Sequence, residues 1–196
     1  MINWFTKLKP KLKRKSIFRL FFITVFFPHL WAFIGGFRAI DNVSKVINIW
    51  YFLRYFGYVL GFALLESVMY FCVILILSIM LPRRWSNFQT FSLLGVWSLI
   101  LPVSVVATKV YFISPNARTW IALEVAYHPG LTYFFYGLLW VIVITAFGLP
   151  AVLIARSEKA AAVFSGLLDK FETLSKFYLV LDVIAFIAII GRLISV

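Results

Sequence analysis

Reactive side chains are scarce in this chain. Cys72 is the only cysteine, which excludes an internal disulfide framework and a cysteine-rich metal site. There are only two histidines, His29 and His128. Glu124 and His128 could share a helical face, but zinc needs three or four ligands, so no metal or other cofactor is expected. No nucleophile elbow, phosphate loop, His-Glu metal motif or acidic metal cluster occurs. A serine nucleophile would need an adjacent base and an oxyanion site, and no such motif is present. Charge is also sparse: 13% of the 196 residues are charged, against 63% hydrophobic. With a mean hydropathy of +0.99, the chain has too little polar surface for a soluble core of its size.

What it has in abundance is continuous apolar sequence. Ile17–Phe37, Gly57–Leu81, Phe91–Ile113, Thr132–Ala155 and Phe177–Val196 each approach the roughly 20 residues that a hydrocarbon core of about 30 Å requires. Barrel strands would alternate instead over about ten residues. The expected fold is an all-α integral membrane protein, a polytopic bundle of about five transmembrane helices with amphipathic surface helices. Residues 1–16 form a basic segment, and residues 17–196 form a single membrane domain. The last span is the least apolar at its ends, with Asp182 near one and Arg192 near the other.

The net charge of +12 reads as a membrane signal and not as a nucleic-acid one. Lys7, Lys9, Lys11, Lys13, Arg14, Lys15 and Arg19 stand at the start of the first run, where basic clusters hold to anionic lipid and stay cytoplasmic. An N-terminus inside also puts Arg83, Arg84, Arg156, Lys159, Lys170 and Lys176 inside, thirteen of the nineteen basic residues. Arg38, Lys45, Arg54, Lys109, Arg118 and Arg192 remain outside, so the asymmetry favours this threading through a plasma or bacterial inner membrane, with the C-terminus outside. The first run is too long for a signal-peptide core and reads as a retained anchor.

Three connections have the pattern of helices lying on the membrane: Asp41–Phe56, Ala117–Tyr127 and Ser157–Lys176. His128-Pro129-Gly130 reads as a helix stop. In the last connection Val163, Phe164, Leu167, Leu168, Phe171 and Leu174 share an apolar stripe that could face lipid or a partner's helix. Gly57 and Gly61 form a GxxxG pair, a weak packing signal. Pro28 and Pro102 break the first spans of two faintly similar halves, and Ser98, Ser104 and Thr108 should bond locally around Pro102.

Glu66 is the one charge in its run, and an ionisable group at that depth faces a partner or a polar cavity. His29 lies at similar depth in the preceding span, so a Glu66–His29 pair is the leading site candidate. Asp182, Lys109 and Arg192 are secondary intramembrane charges, with Asp182 expected to pair with Lys176 or the basic inner surface and Lys109 to snorkel. The leading functional expectation is a non-enzymatic accessory or assembly subunit of an envelope membrane complex. The alternatives are a membrane-embedded enzyme acting on a lipid or lipid-linked sugar, and a small transporter or channel with Glu66 in its path. Membrane lipid and a membrane protein are the expected partners, and the oligomeric state is left open.

Overall fold

The computed structural model describes residues 12–43, 49–82, 84–108 and 129–194. Five helices fill them: α1 (Arg14–Val43), α2 (Ile49–Met80), α3 (Asn87–Thr108), α4 (Pro129–Arg156) and α5 (Glu158–Ile194). Four stretches within these are long and apolar enough to cross a membrane: Arg14–Phe37, Tyr55–Met80, Asn87–Val106 and Tyr133–Arg156.

Local chemistry explains the helix starts. Ser86 caps α3 through a reciprocal box, in which Gln89 N–H donates to Ser86 Oγ at 3.2 Å and Ser86 N–H donates to Gln89 Oε1 at 3.0 Å. Ser157 caps α5 by accepting from Ala160 N–H at 3.3 Å, with Glu158 placed favourably in the first turn. Pro129 opens α4, where its missing N–H costs nothing, and the helix that His128-Pro129-Gly130 was expected to stop lies outside the described residues.

Two expected surface helices are not separate elements. Ser157–Lys176 is the first half of α5, which continues without a break for 37 residues, about 55 Å. The junction near Lys176 contains neither proline nor glycine. It is also bridged by Lys176 to Glu172 at 2.8 Å, one turn apart. Ile49–Phe56, likewise, is the opening of α2, and Gly57 does not interrupt it. The helix expected at Ala117–Tyr127 lies outside the described residues.

The core forms where α1 is enclosed by α2, α3 and α5. Leu20, Ile23 and Phe26 of α1 meet Ile74 of α2, Phe91, Leu93 and Leu94 of α3, and Leu168 of α5. Gly95 lets α5 approach, since a Cβ there would run into both methyls of Leu168. Gly61 faces open space, so only Gly57 of the GxxxG pair is buried. At the edge, α4 is tied to α3 by Trp97 Nε1–H donating to the Phe147 carbonyl at 2.9 Å and by Gln89 reaching the Ile154 carbonyl. Its other face, including Tyr133, Trp140, Val141 and Ile144, is exposed.

The inward face of α5 is a heptad seam. Ala161, Ser165, Leu168, Glu172, Ser175, Leu179 and Asp182 recur at spacings of four and three, and each is buried or half-buried. The stripe anticipated from apolar spacing falls on the flank of this seam. Leu168 is buried, and Phe164 and Phe171 pack against the core. Val163, Leu167 and Leu174 point outward and are 72%, 45% and 48% exposed.

An ion cluster sits midway along the seam. Arg19 of α1 pairs with Asp169 and with Glu172 of α5, the latter at 2.6 Å, while its guanidinium lies 4.7 Å from the Phe91 ring centroid on α3. Burial alone would push the Glu172 carboxyl upward. The hydrogen bonds and charges of Lys176 and Arg19 outweigh it and hold the group below the ordinary carboxylate range. A carboxylate depressed in the folded state stabilises the fold fully above its unfolded pKa, and the contribution is lost as pH falls through the folded value. The thermal midpoint of the parent should therefore fall as pH drops from neutral through and below about 4, the ordinary carboxylate region. Glu172→Gln should be less stable at neutral pH and show a shallower acid decline, as read by scanning fluorimetry. Parallel acid profiles for the two proteins would contradict this role.

Candidate functional site: a lateral groove and a buried histidine–aspartate pair

Helix α1 carries different chemistry on two faces. Phe26, His29 and Phe33 turn toward α5, where Tyr178 stacks on the His29 ring at 5.9 Å and Phe171 contacts Phe26 at 4.5 Å. His29 is fully buried. Its Nδ1 lies 2.9 Å from the Val25 carbonyl, which can only accept, so Nδ1 carries a proton. Its Nε2 lies 2.8 Å from Asp182 Oδ2. One further proton completes that contact, on Nε2 facing a carboxylate or on Oδ2 facing a neutral ring. The two arrangements contain the same number of protons, and each is neutral overall.

This overturns the expected pairing. Both ring nitrogens of His29 are engaged by Val25 and Asp182, so Glu66 is not its partner, and Asp182 bonds to His29 and not to Lys176. The second carboxylate oxygen, Asp182 Oδ1, is buried and has no partner among the described residues. Pairing helices adjacent in sequence pointed to α2. A usable signal was the Tyr178, Asp182 spacing, one turn apart on α5, which sets a ring and an acid against a single histidine. Lys109 lies outside the described residues, as does the side chain of Arg192.

The opposite face of α1 forms the floor of a groove of about 350 Å³. Phe27, Pro28, Leu30, Trp31 and Ile34 make the floor; Pro102, Val103 and Val106 of α3 form one wall, and Glu66 and Tyr70 of α2 the other. Two prolines thus meet in one groove. Each lacks an N–H, so the carbonyls of Thr24 and Ser98, four residues earlier, lose their helical donors. Both positions hold a buried hydroxyl that bonds back one turn, Thr24 Oγ1 to Leu20 O and Ser98 Oγ to Leu94 O, each at 2.8 Å. Such back-bonding beside a proline favours a bend.

Glu66 is exposed on the groove wall and makes no hydrogen bond or ion pair among the described residues. The neighbouring Ser67 is buried and bonds back to the Ala63 carbonyl at 2.7 Å. The groove lining is otherwise almost wholly apolar, and His29 and Asp182 lie behind it on the other face of α1. The structure therefore does not bring Glu66, His29 and Asp182 to one reacting position. In comparisons with known proteins, no family model, curated protein or solved structure matches this chain.

The His29–Asp182 contact has a direct stability test. Asp182→Asn can still donate to Nε2 of a neutral ring and should stay within about 1 kcal/mol of the parent. Asp182→Leu strands a buried imidazole nitrogen and should cost about 1–3 kcal/mol. Adding His29→Leu to Asp182→Leu should recover part of that loss, because no polar group then remains unpaired. Unfolding in mixed micelles measures all three, and an Asp182→Leu variant as stable as the parent would refute the pairing.

Proposed function

We propose that this chain is a non-enzymatic subunit of a membrane complex, which binds and positions another membrane protein through the α1–α2–α3 groove. The observation that carries this reading is the groove itself: apolar, open sideways, and bearing one carboxylate with no hydrogen bond or ion pair among the described residues. The other described acids on the helix seams are bound within the molecule, Asp182 by His29 and Glu172 by Arg19 and Lys176. An enzyme working on a lipid would gather polar groups in one cavity, whereas here the buried pair lies behind the groove floor. A transporter would line a polar path along the bundle, and the groove offers one acid and one phenol.

In this proposal the four apolar helices cross the bilayer with the N-terminus inside, and the Arg19–Asp169–Glu172–Lys176 cluster marks the inner boundary. The second half of α5 then makes a fifth crossing, with its exposed Phe177, Val180, Val183, Ile184 and Phe186 toward lipid. Reporter fusions at Ser86, Asn116 and Val196 should read inside, outside and outside. An inside reading at Val196 would remove the fifth crossing.

A photo-crosslinking amino acid at Val103, on the groove wall, tests the subunit reading in native membranes. The expected product is a discrete protein adduct that weakens severalfold when Leu replaces Glu66. Adducts to lipid alone would overturn the reading, as would turnover of a lipid substrate by the purified protein.

A further inference from the structure

Glu66 stands eleven residues from the Tyr55 end of its candidate span and fourteen from the Met80 end, about 16 and 21 Å of helix. Trp31, Ile34 and Val103 around it are 42%, 39% and 45% exposed in the isolated chain, so the floor and one wall of the groove are themselves uncovered. Resting on the subunit reading above, we infer that the groove takes a partner's transmembrane helix that carries a lysine or arginine near its midpoint. The basic side chain meets Glu66, while the helix flank covers Trp31, Ile34 and Val103.

Charge and depth together select this occupant. An acid held among apolar side chains at mid-span is complemented by a cation delivered to the same depth. Amine headgroups of lipids reside at the interface, more than ten ångströms away on either side by the helix arithmetic. A second copy of this chain offers no mid-span cation among the described residues. Among the described residues of the candidate spans, the basic side chains cluster at span ends, Arg14, Lys15 and Arg19 in α1 and Arg156 in α4. Arg19 is moreover already paired with Asp169 and Glu172. A separate helix with a central cation meets both requirements, and a groove floored by Phe27, Leu30 and Trp31 suits the apolar residues one turn to either side of that cation.

The test uses the full chain in phosphatidylcholine vesicles with three labelled single-span Leu/Ala peptides. One has lysine at its centre, one has lysine only at its end, and one has none. Energy transfer to a fluorophore on the N-terminal segment reports association. The central-lysine peptide should associate at least tenfold more tightly than the other two, and Glu66→Gln and Glu66→Leu should each abolish that preference. Should a Glu66 variant misfold, Val103→Trp, which keeps Glu66 and fills the groove, should weaken the central-lysine peptide by a similar factor. Equal association of the three peptides with the parent would overturn the inference, as would a preference that survives in the Glu66→Leu variant. A single-chain alkylamine that displaces nothing supports the helix, and one that binds in a Glu66-dependent way while no peptide associates overturns it. A protein adduct from Val103 combined with three equal peptides would leave the subunit reading standing and remove only this inference.

Discussion

The contact on which the bundle depends is the pairing of its first and last helices at two levels. Arg19 meets Glu172, and His29 meets Asp182, with a sequence separation of 153 residues in both cases. The two bonds are thus ten residues apart on α1 and ten apart on α5, a step of one heptad plus three that keeps both ends on one seam. Parallel helices locked twice at the same offset have one register. A slide of one turn would separate both pairs together and strip Arg19, His29 and Asp182 of these bonds, while Glu172 would keep only Lys176 of its own helix. The apolar contacts of Phe26, Phe171 and Leu168 between these levels add area but tolerate adjustment, whereas the polar bonds do not.

That clasp also shapes the groove. Because the His29 face of α1 is committed to α5, the Pro28 face is turned toward the space between α2 and α3. Pro102 of α3 borders the same space, so the two helices with weakened hydrogen-bond ladders enclose it together. Neither proline is compensated by a new donor within the lining. The hydroxyls of Thr24 and Ser98 instead bond one turn earlier. Chemistry is therefore divided by α1: His29 and Asp182 bond to one another on one side, and Glu66, with no hydrogen bond or ion pair among the described residues, faces outward on the other.

Apolar run length made the helical class and most helix positions legible from the sequence, since hydropathy and the cost of unpaired backbone leave few alternatives. The local hydroxyl bonds of Ser98 and Ser104 were also legible, being set by position within a helix. The seam of α5 was not. Its buried residues are Ala161, Ser165, Glu172, Ser175 and Asp182 as much as Leu168 and Leu179, and a search for apolar periodicity selects the neighbouring stripe instead. The charges of Glu172 and Lys176 marked that stretch as a surface helix because the cross-helix partner of Glu172, Arg19, lies 153 residues away in sequence. Glu66 stood out by its solitude in an apolar run, but its partner was sought in the adjacent helix, where His29 was already taken by Asp182 of α5.

The clasp has a temporal side. Its two halves come from opposite ends of the chain, so Arg19 and His29 are made long before Glu172 and Asp182 exist. At common synthesis rates of roughly 5–20 residues per second, the 153 intervening residues occupy about 8–30 seconds. Throughout that interval the first helix holds a guanidinium and an imidazole without these partners, and a product that stops before α5 leaves them so. Synthesis of α5 therefore supplies both missing partners together, and the doubly bonded register of α1 against α5 is reached in one late step.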